Sequence, residues 1–285
     1  MDNQLQATND ELNPRKAATM FRTVGQTMHK RSVAVLFGLE NGLPRIMIWW
    51  LVAALLASAI RILISPWNGY VPDTSTILPY VLLTCAPLVS MGLALRWFDG
   101  ADGFAQPVVP LPTVVKWRQV DAAEARAHPL YGTSGIMVSL MLGMLLNVPV
   151  RAAEYFAAMP ALAGPVPHWL YLMQTMMTLD VVLLSSLYVV AFVAALRKVP
   201  LFPLILATVW MIDLTMQLGI AMVVTGASDL PAEIGSVLHT VLEGNIKKVL
   251  ISVALWGPYL LVSRRVGVTY RHRVVTCGRL GLFGR

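Results

Sequence analysis

The sequence is short of charge and almost without cysteine. It also lacks the short motifs by which most enzymes are read. Charged residues make up only 13% of the 285, against about 25% in an average soluble protein. That deficit excludes an ordinary water-soluble domain and points to the polytopic membrane class. The two cysteines, Cys85 and Cys277, lie in an apolar run and in the C-terminal tail, so neither a disulfide framework nor a metal-ligand pattern is read from them. No Gly-rich phosphate loop, His-Glu-x-x-His or Gly-x-Ser-x-Gly occurs. The five histidines, at 29, 128, 168, 239 and 272, are scattered over loops and tails. His168 and His239 would share a side, which is weak support for a metal. No catalytic residue, metal or cofactor is therefore expected. The first 45 residues lack the continuous apolar core of a cleavable signal, so the first span is expected to act as the insertion signal.

What is present is apolar length. Hydrophobic residues make up 56% of the chain. The clearest unit is a hairpin of two segments, Trp169–Leu196 and Val199–Val224, joined by the basic turn Arg197-Lys198-Val199-Pro200. Each exceeds the ~20 residues that cross ~30 Å of hydrocarbon. Four further spans are read at Ile46–Ile64, Ile77–Leu95, Gly135–Val150 (extended through Arg151 and Glu154) and Ile246–Val262. The expected fold is thus an all-α polytopic transmembrane helix bundle of about six spans. Its parts are a tail over 1–45, a first hairpin over 46–97, a loop over 98–134, a four-helix unit over 135–270 and a basic tail over 271–285. In the N-terminal part, Pro14 can open a helix, and Met20, Phe21, Val24 and Met28 recur at helical spacing. That stretch is read as a tail under the bundle or loose, with a helix lying on anionic lipid as the alternative.

The positive charge sets an orientation. Of the 22 lysines and arginines, all but Arg61, Arg151, Lys247 and Lys248 fall in the tails, the 98–134 loop with its flanks and the Arg197-Lys198 turn. Positive charge stays cytoplasmic, so both termini are expected there. The same placement assigns the net charge of +7 to topology, and nucleic acid is not expected as a partner.

Each half of the central hairpin carries one lone carboxylate, Asp180 and Asp213. Counted from the turn, they lie ~24 Å and ~20 Å deep at about 1.5 Å per residue. An ionisable residue at such a depth costs about 2.5–3.5 kcal/mol on insertion scales, so both acids should face protein. They either hold packing together by hydrogen bonds to neighbours or form a polar site for a proton or a cationic substrate, completed by Gln174, Thr178, Thr215 and Gln217. Arg61 and Arg151 either snorkel to the outer head groups, or one of them reaches inward to an acid. Arg151 and Glu154, three apart, share a helix face. Ile46-Met47 precedes Arg61 as Ile136-Met137 precedes Arg151, an offset of 90 residues that suggests two related hairpins. The row Gly135, Ser139, Gly143 is a small-residue face expected to pack within the fold.

The end of the last span reads Trp256-Gly-Pro258-Tyr259-Leu-Leu-Val-Ser263-Arg-Arg265-Val266-Gly-Val-Thr269-Tyr270. It resembles the closing motif of the bacterial inner-membrane family called domain of unknown function 2569 (DUF2569). The turn Arg197-Lys198-Val-Pro-Leu-Phe202-Pro203 is similar to that family's basic turn. The resemblance covers about Gly135–Tyr270 and implies a four-helix inner-membrane unit with cytoplasmic ends. It brings no reaction or substrate. In this setting Pro258 should bend the last helix near its middle, Tyr259 anchor a polar contact and Ser263-Arg264-Arg265 sit among head groups.

The expected function is that of a non-enzymatic inner-membrane scaffold or modulator of a partner complex. The alternatives are a small proton-coupled carrier using the acid pair and an envelope- or lipid-acting enzyme. The bilayer is the expected environment, with a membrane-protein partner possible in principle and the substrate open.

Overall fold

The structure is a computed structural model, and it describes residues 14–66, 69–100, 117–227 and 229–275. Eight helices and one strand pair account for nearly all of it. Their order is α1 (Pro14–Ile64), α2 (Thr74–Trp97), β1 (Trp117–Gln119), α3 (Ala122–Ala127), α4 (Ile136–Ala158), α5 (His168–Leu196), α6 (Phe202–Thr225), α7 (Ala232–Val262), α8 (Arg264–Arg271) and β2 (Arg273–Val275). Six of these helices are long and apolar enough to cross a membrane. The chain is an all-α polytopic bundle, as its apolar runs predict.

α5 is the centre. Of its apolar window 67% is buried, against 11% for α1 and for α7. It packs against α2, α4 and α6, while α7 lies on α6 and α1 leans on α2 and α4. A helix apolar all round suits the middle of a bundle, because each of its faces meets another helix. Ala191, Phe192, Val193, Ala194 and Ala195 are fully buried in succession. Small residues there let neighbours approach closely.

Two expectations about boundaries are corrected. Residues 14–45 are not a separate tail, because α1 runs unbroken through Pro44 into the first span. Its 51 residues make a rod of about 77 Å at 1.5 Å per residue. Pro44 removes one backbone bond without ending the helix, as prolines in membrane helices commonly do. The last span does not begin at Ile246, because its helix runs from Ala232 onward. The carboxylates of Glu233 and Glu243 mask there what is helix by backbone. The side chains at 20, 21, 24 and 28, residues 101–116 of the expected loop and Cys277 lie outside the described residues. Cys85 is exposed on α2.

The end of the bundle that carries the Arg197 turn is closed by a small structured layer. α5 ends with Lys198 in the left-handed region at φ 57°, and Val199 N–H reaches back to the Ala194 carbonyl at 2.9 Å. With Lys198 N–H on the Ala195 carbonyl, this is a Schellman closure of the helix, with lysine instead of glycine in the left-handed position. Beneath the turn, Ser263 caps α8 through Val266 N–H. Tyr270 donates its hydroxyl to the Ala195 carbonyl at 2.9 Å, and its ring lies 4.9 Å from that of Phe202. Complete burial pushes the Tyr270 hydroxyl well above the ordinary tyrosine range. Arg265 donates to Ser134 Oγ at 2.8 Å, and Thr269 Oγ1 accepts from Gly132 N–H at 3.0 Å. β1 and β2 pair antiparallel, Trp117 opposite Val275 and Gln119 opposite Arg273. Pro258 stands in the last turns of the 31-residue α7, not near its middle. Tyr259 packs edge-on to Trp256 at 5.9 Å.

Candidate functional site: a buried charge cluster and the cleft beside it

Three charged side chains meet in the core. Arg151 of α4 points inward and is only 8% exposed, beside Asp180 at 8% and Asp213 at 0%. Its Nη1 donates to Asp180 Oδ2 at 2.8 Å and its Nη2 to Asp213 Oδ2 at 2.5 Å. One guanidinium thus clamps two helices to a third. Its planar fork suits that task better than an ammonium would.

Neutral groups fix the rest of the geometry. Arg151 Nε donates to Asn147 Oδ1, one turn earlier, at 2.9 Å. Tyr188 donates its hydroxyl to Asp213 Oδ2 at 2.9 Å and holds its ring 5.9 Å from the guanidinium carbon. Gln217 Nε2 donates to Asp180 Oδ1 at 3.0 Å, and Asn245 Nδ2 to Gln217 Oε1 at 3.4 Å. With both acids ionised, the three charges carry one negative charge in excess. Asp213 Oδ1 is buried without a hydrogen-bond partner among the described residues. An orphan acceptor of this kind, deep in a low-dielectric core, is costly unless something else neutralises it.

Arg151 and Tyr188 also line a cleft of about 140 Å³ between α4 and α7, floored by α6. Asn147, Glu154, Asn245 and Lys248 line one end of it, and Leu140, Met144, Leu206, Trp210 and Trp256 the other. The polar end lies toward the side of the bundle away from the Arg197 turn. There Lys248 Nζ bridges from α7 to Glu154 Oε1 on α4 at 2.5 Å and also reaches Asn245 Oδ1 at 3.2 Å. Both partners of that bridge are partly exposed. Lys247 pairs with Glu243 along the helix at 2.6 Å.

The structure brings together Asp180, Asp213, Arg151 and Gln217 of the residues singled out by sequence, and Glu154 faces the same cleft as Arg151. It does not bring in the others. Arg61 Nε donates to the Met159 carbonyl at 2.8 Å, at the far end of the bundle. Gln174 is buried away from the cluster, its Nε2 unpartnered among the described residues, and Thr178 bonds the Tyr155 hydroxyl at 2.9 Å. Thr215 points outward and returns its hydroxyl to Met211 O. Ser139 and Gly143 are exposed, so the small-residue row does not pack within the fold as expected. The motif residues Trp256, Pro258, Tyr259, Ser263, Arg265, Val266, Thr269 and Tyr270 belong to α7 and the closing layer, with only Trp256 reaching the cleft. Tyr188, Asn147 and Asn245 were not read from the sequence. Asn147 had a signal, since it stands four residues before Arg151 on one helix face. Among the described residues no three His, Cys, Asp or Glu gather as metal ligands.

A multi-pass membrane bundle with a charged core is the class that this fold and site define. The chain matches no described protein family, no curated protein and no solved structure.

Proposed function

We propose that the chain is a small proton-coupled carrier of the bacterial inner membrane, with no enzymatic activity, and that the Arg151–Asp180–Asp213 cluster is its proton site. The observation that carries this reading is the single unbalanced negative charge of the cluster, together with the orphan Oδ1 of Asp213. Buried ionisable residues in membrane proteins mark ion and proton pathways. A cluster with one charge too many is balanced by one proton, and the adjoining cleft gives it a route to one side. On this reading both termini are cytoplasmic, the Arg197 turn faces the cytoplasm, and Gly135–Tyr270 is a DUF2569-like unit preceded by an extra hairpin. The test uses the purified chain in proteoliposomes holding a pH-sensitive dye. Asp180→Asn and Asp213→Asn should insert normally and abolish proton flux under a pH gradient. Wild-type flux in the double variant would overturn the proton site.

A second reading, the scaffold or modulator, is favoured by a different observation. An almost wholly apolar groove of about 270 Å³ runs between α1, α2 and α4, lined among others by Ile46, Trp50, Pro87, Met91, Leu145 and Pro149. A membrane helix of a partner complex would fit there. Photo-crosslinking from Leu146 in cells tests it, and adducts with lipid alone would remove it. No observation favours the enzyme.

A further inference from the structure

α1 leans on α2 and α4 and leaves a gap over α5. Two cavities follow one another along that gap. The first, of about 390 Å³, lies where α5 ends, lined by Glu40 and Leu43 of α1 and by Leu196, Arg197 and Lys198. The second is the apolar groove of about 270 Å³, with Met47 and Trp50 of α1 and Val189 of α5 among its walls. Glu40, Leu43, Met47 and Trp50 stand three or four residues apart, so they share one face of α1. Leu196 and Val189, seven apart, share one face of α5. At 1.5 Å per residue, Met47 lies about 6 Å deeper along α1 than Leu43, and Val189 about 10 Å deeper along α5 than Leu196. A charged cavity at the end of the spans thus leads into an apolar one toward their middle.

The charges of the first cavity are not taken up within the fold. Among the described residues, the side chains of Arg197 and Glu40 have neither an ion pair nor a hydrogen bond, and both are exposed. Lys198 is half-buried, its Nζ 5.4 Å from the centre of the Tyr131 ring. Two cations and one carboxylate leave one positive charge over, at the level where the spans end and lipid head groups begin. Basic pockets between membrane helices attract anionic head groups. The pull of an exposed cation is modest, and burial of acyl methylenes adds to it. The groove supplies that burial. Leu146 lines it and is 59% exposed, so it opens sideways to the bilayer.

We propose that the gap between α1 and α5 binds one anionic phospholipid, its phosphodiester on Arg197 and Lys198 and one acyl chain in the groove beside Met47, Trp50 and Val189. This goes beyond the carrier reading and rests on no part of it. It competes with the scaffold reading, because a lipid chain and a partner helix exclude each other from the groove.

The test is photolabelling of the purified full chain in nanodiscs. The probe is phosphatidylglycerol with a diazirine on one acyl chain, the control is phosphatidylcholine with the same label, and labelled residues are mapped by mass spectrometry. Met211 of α6, 64% exposed, reports the lipid that merely surrounds the bundle. Phosphatidylglycerol should label Met47, Trp50 and Leu146 at least about fivefold more than Met211, the factor that one basic contact gives an anionic head group. Phosphatidylcholine should not. Arg197→Gln should remove the enrichment, Arg197→Lys should keep it and Glu40→Gln should raise it. Both positions are exposed, so these variants should fold. Labelling in the groove no denser than at Met211, equal enrichment with the choline lipid, or enrichment unchanged in Arg197→Gln overturns the site. Protein adducts from Leu146 in cells would give the groove to the scaffold reading and overturn this one, while proton flux decides the carrier reading separately.

Discussion

Arg151 and Asp213 stand 62 residues apart in the chain and meet at 2.5 Å between α4 and α6. The same guanidinium holds Asp180 at 2.8 Å, so one side chain ties α4 to both arms of the central hairpin. Removing it leaves two buried carboxylates uncompensated. Arg151→Met is expected to destabilise the bundle by about 3–5 kcal/mol, seen as a lowered midpoint in a detergent melt. Arg151→Lys should recover only part of that, because an ammonium cannot make the forked contact. A melt unchanged in Arg151→Met would show that the cluster does not hold the helices.

Tyr188 separates hydrogen bonding from ring contact. Tyr188→Phe deletes the donor to Asp213 Oδ2 but keeps the ring near Arg151. A hydrogen bond to a charged group is worth about 1.5–3 kcal/mol, and that loss is expected in the same melt. Tyr188→Ala should cost more, since the ring is lost as well.

Gly267 tests the closing layer. A Cβ built there falls 2.6 Å from the Trp117 ring. Gly267→Ala is therefore expected to push β1 away from α8, at about 1–3 kcal/mol for overpacking. The paired variant Gly267→Ala with Trp117→Leu should recover stability. Proteolysis near β1 reads the displacement directly, and an unchanged cleavage pattern in the single variant would contradict the contact.

Asp73 gives a pH dependence outside the spans. Its carboxylate caps α2, accepting from the Ser75 hydroxyl at 2.6 Å and from Thr76 N–H at 3.0 Å. These bonds hold it below the usual carboxylate range. A group whose folded value is depressed adds stability above its unfolded value and loses it as pH falls through the folded one. Protection of the Thr76 and Ile77 amides from hydrogen exchange should therefore fall as the medium is acidified below the ordinary range for aspartate. In Asp73→Asn that acid-dependent fall should vanish.

The spans were legible because the bilayer imposes a length on them, and five of the six apolar runs stop within two residues of where their helices end. The start of α7 was not, since Glu233, Glu243, Lys247 and Lys248 interrupt the apolar signal while leaving the helix intact. Equal depth of Asp180 and Asp213 followed from counting along the hairpin. Which polar neighbours join them depends on rotation about each helix. Gln217, four residues from Asp213, shares its face, whereas Thr215, two residues away, lies on the opposite side. The choice of Arg151 over Arg61 was open for the same reason. The β1–β2 pair joins residues on either side of four spans, and no local pattern announces it.

The order of residues in the cluster bears on how the protein is made. Arg151 precedes Asp180 by 29 residues and Asp213 by 62. At the ribosome's ~5–20 residues per second, the first acid follows the arginine by roughly 1.5–6 s and the second by roughly 3–12 s. Through that interval α4 carries Arg151 without either of its aspartates, Glu154 being the one acid on that helix, so the insertion machinery must shelter it until the hairpin arrives. A pause or a truncation inside α5 would strand that helix, making nascent chains stalled there ready targets for membrane quality control.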